Sequence, residues 1–247
     1  MQSEHCKVPL LYACKEKKMD VMVLIDSFKG SMTSMEAGNA ARDGVLRVYP
    51  HANVTVRPLA DGGEGTTDAL IEGLGGRKVE LSVTGPMGKR VEAYYGILAD
   101  EKTAVMEMAQ AAGITLVEKA QRNPGKATTY GVGEMIRDAV SRGCRKFIIG
   151  IGGSATNDGG IGMLRALGVK FLTKDGEEAG EGADALGKIH FVSLEHLMPE
   201  LKECDFQIAC DVTNPLCGEK GATYIYGKQK GIREEEMPRI DADMKHY

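Results

Sequence analysis

Four times in this chain a strand-like run empties into a glycine-rich polar loop, and this repetition constrains the fold more than any other feature. The runs at 21–25, 54–59, 146–151 and 206–210 lead into DSFKGS (26–31), ADGGEGT (60–66), GIGGSATNDGG (150–160) and DVTNPLCGEKGAT (211–223). Short, nearly continuous apolar runs such as 21–25 and 146–151 suit strands covered on both faces, as in parallel sheets. Between the first two runs, Thr33 or Ser34 caps a predicted helix reaching about Val48, with Glu36 in its first turn. A second helix runs to Leu74 and stops at Gly75–Gly76. The pattern is β-α-β-α, with glycine loops at the strand C-termini. Open α/β sheets bind their ligands at that edge.

The pattern changes near Arg77. Segments 78–84, 91–98 and 103–108 read as strands, separated by short turns holding Gly85–Pro86, Gly88 and Asp100. Connections this short imply antiparallel pairing. Helix–strand alternation resumes at 129–141 and 146–151, followed by 159–167, 169–172 and a strand at 206–210. The organisation expected is an N-terminal extension at 1–18, the start of a first α/β domain at 19–75, and a second mixed α/β domain at 76–247. Residues 233–247 read as a charged helix. Two parallel strands make a poor independent core, so the sequence is expected to continue beyond Tyr247 and complete the first sheet.

Thirty-one basic and 35 acidic residues give a net charge of −4, which offers nothing to a nucleic-acid backbone. No apolar run approaches the roughly 20 residues of a membrane helix. The first eighteen residues lack the order of a signal peptide, because their lysines follow the short apolar stretch. The six cysteines, Cys6, Cys14, Cys144, Cys204, Cys210 and Cys217, form no CxxC. They read as reduced, mostly buried thiols of a cytoplasmic protein rather than zinc ligands or a disulfide framework.

GIGGSATNDGG carries the most chemistry. Gly150, Gly152 and Gly153 let a backbone approach a ligand closely, and Ser154, Thr156 and Asn157 add side-chain donors. A helix starting near Asp158 or Gly159 would aim its amides at the same place, which suits a phosphate or carboxylate. Asp158 could cap that helix, bind Mg²⁺ or accept a proton from an attacking hydroxyl. Gly150, Gly152 and Ala155 also fit G-x-G-x-x-A with Asp175 further on, the pattern of a dinucleotide-dependent oxidoreductase. Asp175, however, falls in a Lys-Asp-Gly turn. No GxxxxGK[ST] is present, which removes the P-loop kinases. Asp61 and Glu64 of ADGGEGT, beside Gly62 and Gly63, could hold a hard cation. Asp26, Ser27, Lys29 and Ser31 lie at the first strand end, where Lys29 could pair with an anion. Asp211 and Asn214 lie at the last. These loops together point to one shared site for an anionic ligand. A non-catalytic anion-binding module remains a third reading.

At these residues the sequence resembles the bacterial glycerate kinase family, the type that includes glycerate 2-kinases. The resemblance is carried by DSFKGS, ADGGEGT, TGPMG (84–88), EMAQAAG (107–113), TTYGVGE (128–134), GIGGSATNDGG and DVTNPLCGEKGAT, in that order. It implies a two-domain fold, a parallel flavodoxin/Rossmann-like α/β domain plus a second mixed α/β domain, with the first incomplete here and the site between them. It implies ATP, Mg²⁺ and D-glycerate as reactants. For such a reaction Asp158 is the first candidate for the base, with Asp211 and Asp61 as rivals that could instead hold Mg²⁺; Lys29 would anchor the glycerate carboxylate or the transferred phosphate, and Asp61 and Glu64 are the candidate metal ligands.

Overall fold

The computed structural model describes residues 19–26, 28, 31–59 and 62–247. Strand β1 (Asp20–Ile25) pairs in parallel with β2 (Asn53–Pro58), and helix α1 (Ser34–Val48) connects them. The expected cap is present as a full capping box: Thr33 Oγ1 accepts from Glu36 N at 3.2 Å, and Glu36 Oε2 accepts from Thr33 N at 2.8 Å. This sheet has two strands among the described residues. One face meets α1, where Val56 packs so closely on Gly38 that a methyl group there would collide. On the other face Met22 and Leu24 are exposed.

Helix α2 (Thr66–Leu74) ends at Gly75, which has a positive φ, and the chain turns directly into β3 (Gly76–Thr84). Strands β3, β4 (Arg90–Leu98) and β5 (Thr103–Glu107) pair antiparallel, as their short turns predict. After the short helix α3 (Ala109–Ala112) and α4 (Tyr130–Ser141), β6 (Lys146–Gly150) adds in parallel to β5. Next come α5 (Ile161–Ala166), β7 (Lys170–Leu172), α6 (Ala183–Leu186) and β8 (Phe191–Ser193), with β7 and β8 forming an antiparallel pair. Strand β9 (Asp205–Ala209) joins β6 in parallel, so the five-stranded order is β3-β4-β5-β6-β9. Helices α7 (Ala222–Lys230) and α8 (Met237–His246) follow.

The main core lies between this sheet and α4. Val83, Tyr95, Ile97, Met106 and Phe147 meet Val132, Met135, Ile136 and Ala139, all essentially buried. The buried Tyr95 hydroxyl donates to Asp138 Oδ2 at 2.6 Å, and Arg142 holds the same carboxylate at 2.7 Å. A second core gathers Ile161, Phe171, Leu186, Ile240 and Met244. The predicted charged helix at 233–247 is therefore amphipathic, with Met237, Ile240 and Met244 inward. Strands β1 and β2 contribute to neither core.

Two expectations need correction. Helix α2 belongs by packing to the second sheet as much as to the first: a methyl group on Gly96 of β4 would strike Ile71, and Thr67 N donates to Glu107 of β5 at 2.8 Å. The thiols are less buried than expected, with Cys144 buried but Cys210 exposed; all four described cysteines are free. Cys6 and Cys14 lie outside the described residues. No helix among the described residues is long and apolar enough to cross a membrane.

Candidate active site

Two glycine loops meet where β5, β6 and β9 end. Gly62, at φ +86°, passes so close to β9 that a Cβ there would lie 2.5 Å from the Ala209 carbonyl oxygen. A Cβ on Gly150 would collide in turn with the Gly62 carbonyl oxygen. Gly152 N lies 3.5 Å from that same oxygen, to which it donates. The ADGGEGT and GIGGSATNDGG loops therefore touch backbone to backbone, which only glycine permits. Strands β1 and β2 end side by side, because Leu59 N donates to Ile25 O at 3.1 Å.

The GIGGSATNDGG loop is braced from several sides. Ile114 N donates to Gly153 O at 2.8 Å, and Ala155 N donates to Ala112 O at 2.8 Å. Asn157 Nδ2 donates to Thr223 Oγ1 of α7 at 3.1 Å. Lys230, the last residue of α7, donates to Ser154 Oγ at 2.9 Å and to Thr156 O at 2.7 Å. Burial lowers the Lys230 ammonium to about 8, although nearby Asp158 pulls the other way. Gly152 and Gly153 remain exposed and Ser154 is half-buried, whereas 155–158 are buried.

Asp158 is 2% exposed and its carboxylate is fully engaged. Oδ2 accepts from Thr129 N at 2.9 Å, Thr129 Oγ1 at 2.7 Å and Gly162 N at 3.3 Å. Oδ1 accepts from Gly160 N at 3.1 Å. Helix α5 begins only at Ile161 and has six residues. Its first amides are already taken by Asp158, and Met163 N is taken by Thr129 Oγ1 at 2.9 Å. The expectation that this helix start faces a ligand anion is thus corrected, because the anion there is Asp158 itself. Thr156 and Asn157, expected as ligand donors, are buried; the Asn157 amide donates to Thr223, and Lys230 holds the Thr156 backbone carbonyl.

The glycerate kinase family model matches residues 21–247. The chain is 44% identical over 227 residues to the glycerate kinase of Halalkalibacterium halodurans, a match covering 92% of this chain and 60% of that protein. It is 43% identical over 229 residues to the glycerate 2-kinase of Escherichia coli, covering 93% and 60%. This chain belongs to the glycerate kinase family. A crystal structure from Salmonella typhimurium LT2 superposes with a TM-score of 0.87 at 43% identity, covering 93% of this chain and 62% of that one. The chain spans about 60% of the length of the curated glycerate kinases it matches.

Other sequence-predicted residues of this family member are more scattered. Asp26 is half-buried and Ser31 exposed at the end of β1; Ser27, Lys29 and Asp61 lie outside the described residues. Glu64 is exposed on its loop. Asp211 is exposed just beyond β9, next to the Ala209 that Gly62 touches. Asn214 is turned onto its own loop, donating to Lys220 O at 3.0 Å and accepting from Tyr226 at 2.6 Å. Gly159, at φ +58°, faces the Tyr247 ring rather than the Gly62–Gly150 contact. Asp175 stands in an exposed turn after β7, in a separate two-stranded sheet, so the G-x-G-x-x-A pattern lacks its ribose partner.

Two residues were missed from sequence. Glu107, at the end of β5, is 2% exposed and accepts from Gly65 N at 3.3 Å and Thr67 N at 2.8 Å. It ties the ADGGEGT loop and the start of α2 to the sheet. Burial raises its carboxyl pKa, while the two amides oppose that shift. Lys230 was missed as well. An acid closing an apolar strand was a legible signal for Glu107; nothing in the local sequence marks Lys230.

Proposed function

We propose that this chain carries phosphate- and substrate-binding machinery of an ATP-dependent kinase acting on D-glycerate, with 2-phosphoglycerate as product. The observation that carries the reading is the backbone contact of ADGGEGT with GIGGSATNDGG beside the end of β9, with Gly152 and Gly153 exposed and Ser154 half-buried. Family membership supports the reaction class. Phosphoryl transfer asks for alignment and charge neutralisation more than covalent chemistry, and braced glycine loops supply alignment.

In this reading the exposed amides of Gly152 and Gly153 and the Ser154 hydroxyl hold a phosphoryl group, and Gly62 and Gly63 form the facing wall. Lys29, with Asp26, Ser27 and Ser31, binds the glycerate carboxylate end. Asp211 takes the proton of the attacking hydroxyl, because Asp158 is occupied by four donors and Asp211 is exposed beside the loops. Asn214 shapes that loop. Mg²⁺ usually arrives with the nucleotide and needs only one or two carboxylates. Among the described residues no three metal-ligating side chains cluster, which is compatible with that mode, and Asp61 and Glu64 are the proposed ligands. When bound, the ion would neutralise charge on the transferred group. Residues 19–75 and 76–247 are proposed as parts of two domains flanking this site, in a cytoplasmic protein.

The test is ligand-induced thermal stabilisation together with product analysis by phosphorus NMR. ATP with Mg²⁺ and D-glycerate should each raise the melting temperature, and the product should carry phosphate on the 2-hydroxyl. Stabilisation by NAD(P) in place of ATP would overturn the kinase reading; phosphate on the 3-hydroxyl would overturn only its regiochemistry.

A further inference from the structure

We infer that Lys230 is a positioning residue for the phosphate-binding face of the GIGGSATNDGG loop and acts through Ser154. The identity of the phosphorylated ligand rests on the kinase reading; the binding of phosphate itself does not.

Lys230 closes α7 and is 9% exposed. Burying an ammonium is expensive unless its protons are matched. Two of its three protons go to oxygens of one loop, Ser154 Oγ at 2.9 Å and Thr156 O at 2.7 Å, and neither oxygen bears a charge. The carboxylate that influences it electrostatically is Asp158, whose oxygens already accept four hydrogen bonds. Burial without a dedicated counter-ion accounts for the lowered pKa. A positive charge of this kind, set directly behind an exposed glycine loop, favours an anion in front of it.

The geometry adds direction. A serine hydroxyl has one proton and two lone pairs. Because Lys230 donates to Ser154 Oγ, the Ser154 proton remains for a ligand oxygen, and Ser154 is only half-buried. Carbonyls of the loop are meanwhile held away from the ligand: Gly153 O accepts from Ile114 N at 2.8 Å, and Thr156 O accepts from Lys230. A carbonyl turned toward a phosphate would repel it. Lys230 therefore does two things at once, fixing the hydroxyl as a donor and holding a carbonyl back.

The test is titration calorimetry of inorganic phosphate into the folded chain, with kinetics of ATP turnover alongside. Lys230→Met is expected to weaken phosphate binding by about tenfold or more, the size of one charge-assisted hydrogen bond. The KM for ATP should rise by more than kcat falls. Ser154→Ala should weaken phosphate comparably, and adding Lys230→Met to it should cost less than a further factor of about three, because coupled neighbours are not additive. Lys230→Gln keeps a donor without the charge and serves if the Met variant does not fold; its loss should be smaller and in the same direction. Wild-type phosphate affinity in either folded Lys230 variant overturns the inference. So does full additivity with Ser154→Ala, or a wild-type chain that binds no phosphate. A wild-type chain that binds phosphate but phosphorylates no glycerate removes the kinase reading and leaves Lys230 in place.

Discussion

Replacing Asp158 by asparagine separates a brace from a base. An isolated helix cap tolerates this exchange, since asparagine and aspartate cap about equally well. Asp158 differs because both of its oxygens are used. If the asparagine oxygen takes the Oδ2 position, the bonds from Thr129 N, Thr129 Oγ1 and Gly162 N survive without their charge. The amide nitrogen then faces Gly160 N–H, donor against donor. A hydrogen bond to a charged group is worth about 1.5–3 kcal/mol, a neutral one about 1, and an unmatched buried donor costs about 1–3. The expected loss is about 3 kcal/mol or more, a large fraction of the roughly 5–15 kcal/mol that holds a domain folded. Urea denaturation followed by circular dichroism should show a lower midpoint with an unchanged m-value. Amide exchange should quicken at the starts of α4 and α5. A variant within about 0.5 kcal/mol of wild type, the range of a neutral surface change, with turnover down by a hundredfold or more, would refute the brace and return Asp158 to proton transfer.

Three further outcomes follow from the same structure. Gly62→Ala combines a positive φ with a carbonyl 2.5 Å from the new methyl; it should lower stability by about 2 kcal/mol or more, and a thermal melt unchanged from wild type would refute the backbone contact. Lys230 has a folded pKa of about 8 against 10.5 when unfolded, so between those values the unfolded chain holds a proton that the folded chain has released. Its contribution should therefore make stability rise by about 3 kcal/mol as pH increases through that window, and wild-type and Lys230→Met curves that stay parallel across it would contradict the burial. Tyr95→Phe deletes the buried donor to Asp138 while Arg142 keeps the carboxylate paired; a loss of about 1–2 kcal/mol by denaturant titration is expected, and no loss would mean that the hydroxyl is idle.

Much of the fold was legible because it is written locally. Strand runs, the Thr33–Glu36 box and the Gly75–Gly76 stop each act within a few residues, and the short turns after β3 and β4 force antiparallel pairing. The limits of reading appear where one residue answers to distant ones. Asp158 looked like a ligand-facing acid because its neighbours are glycine and polar; its partner Thr129 lies 29 positions away. Lys230 is 76 positions from Ser154 and sits among other lysines and a glutamine, so composition alone could not single it out. Helix α2 was read as part of the first domain because sequence order places it there, whereas burial of Ile71 and Thr67 against β4 and β5 places it on the other sheet as well.

The backbone crossing of Gly62, Gly150 and Ala209 has a consequence for how the two loops can change over generations. A side chain at Gly62 meets the Ala209 carbonyl and one at Gly150 meets the Gly62 carbonyl, so the two substitutions displace different groups of one stacked contact and neither relieves the other. Neither position can therefore compensate for the other: Gly62→Ala and Gly150→Ala together should be more harmful than either alone. Each glycine is then held by its own contact, and the two loops keep their shape only while both remain.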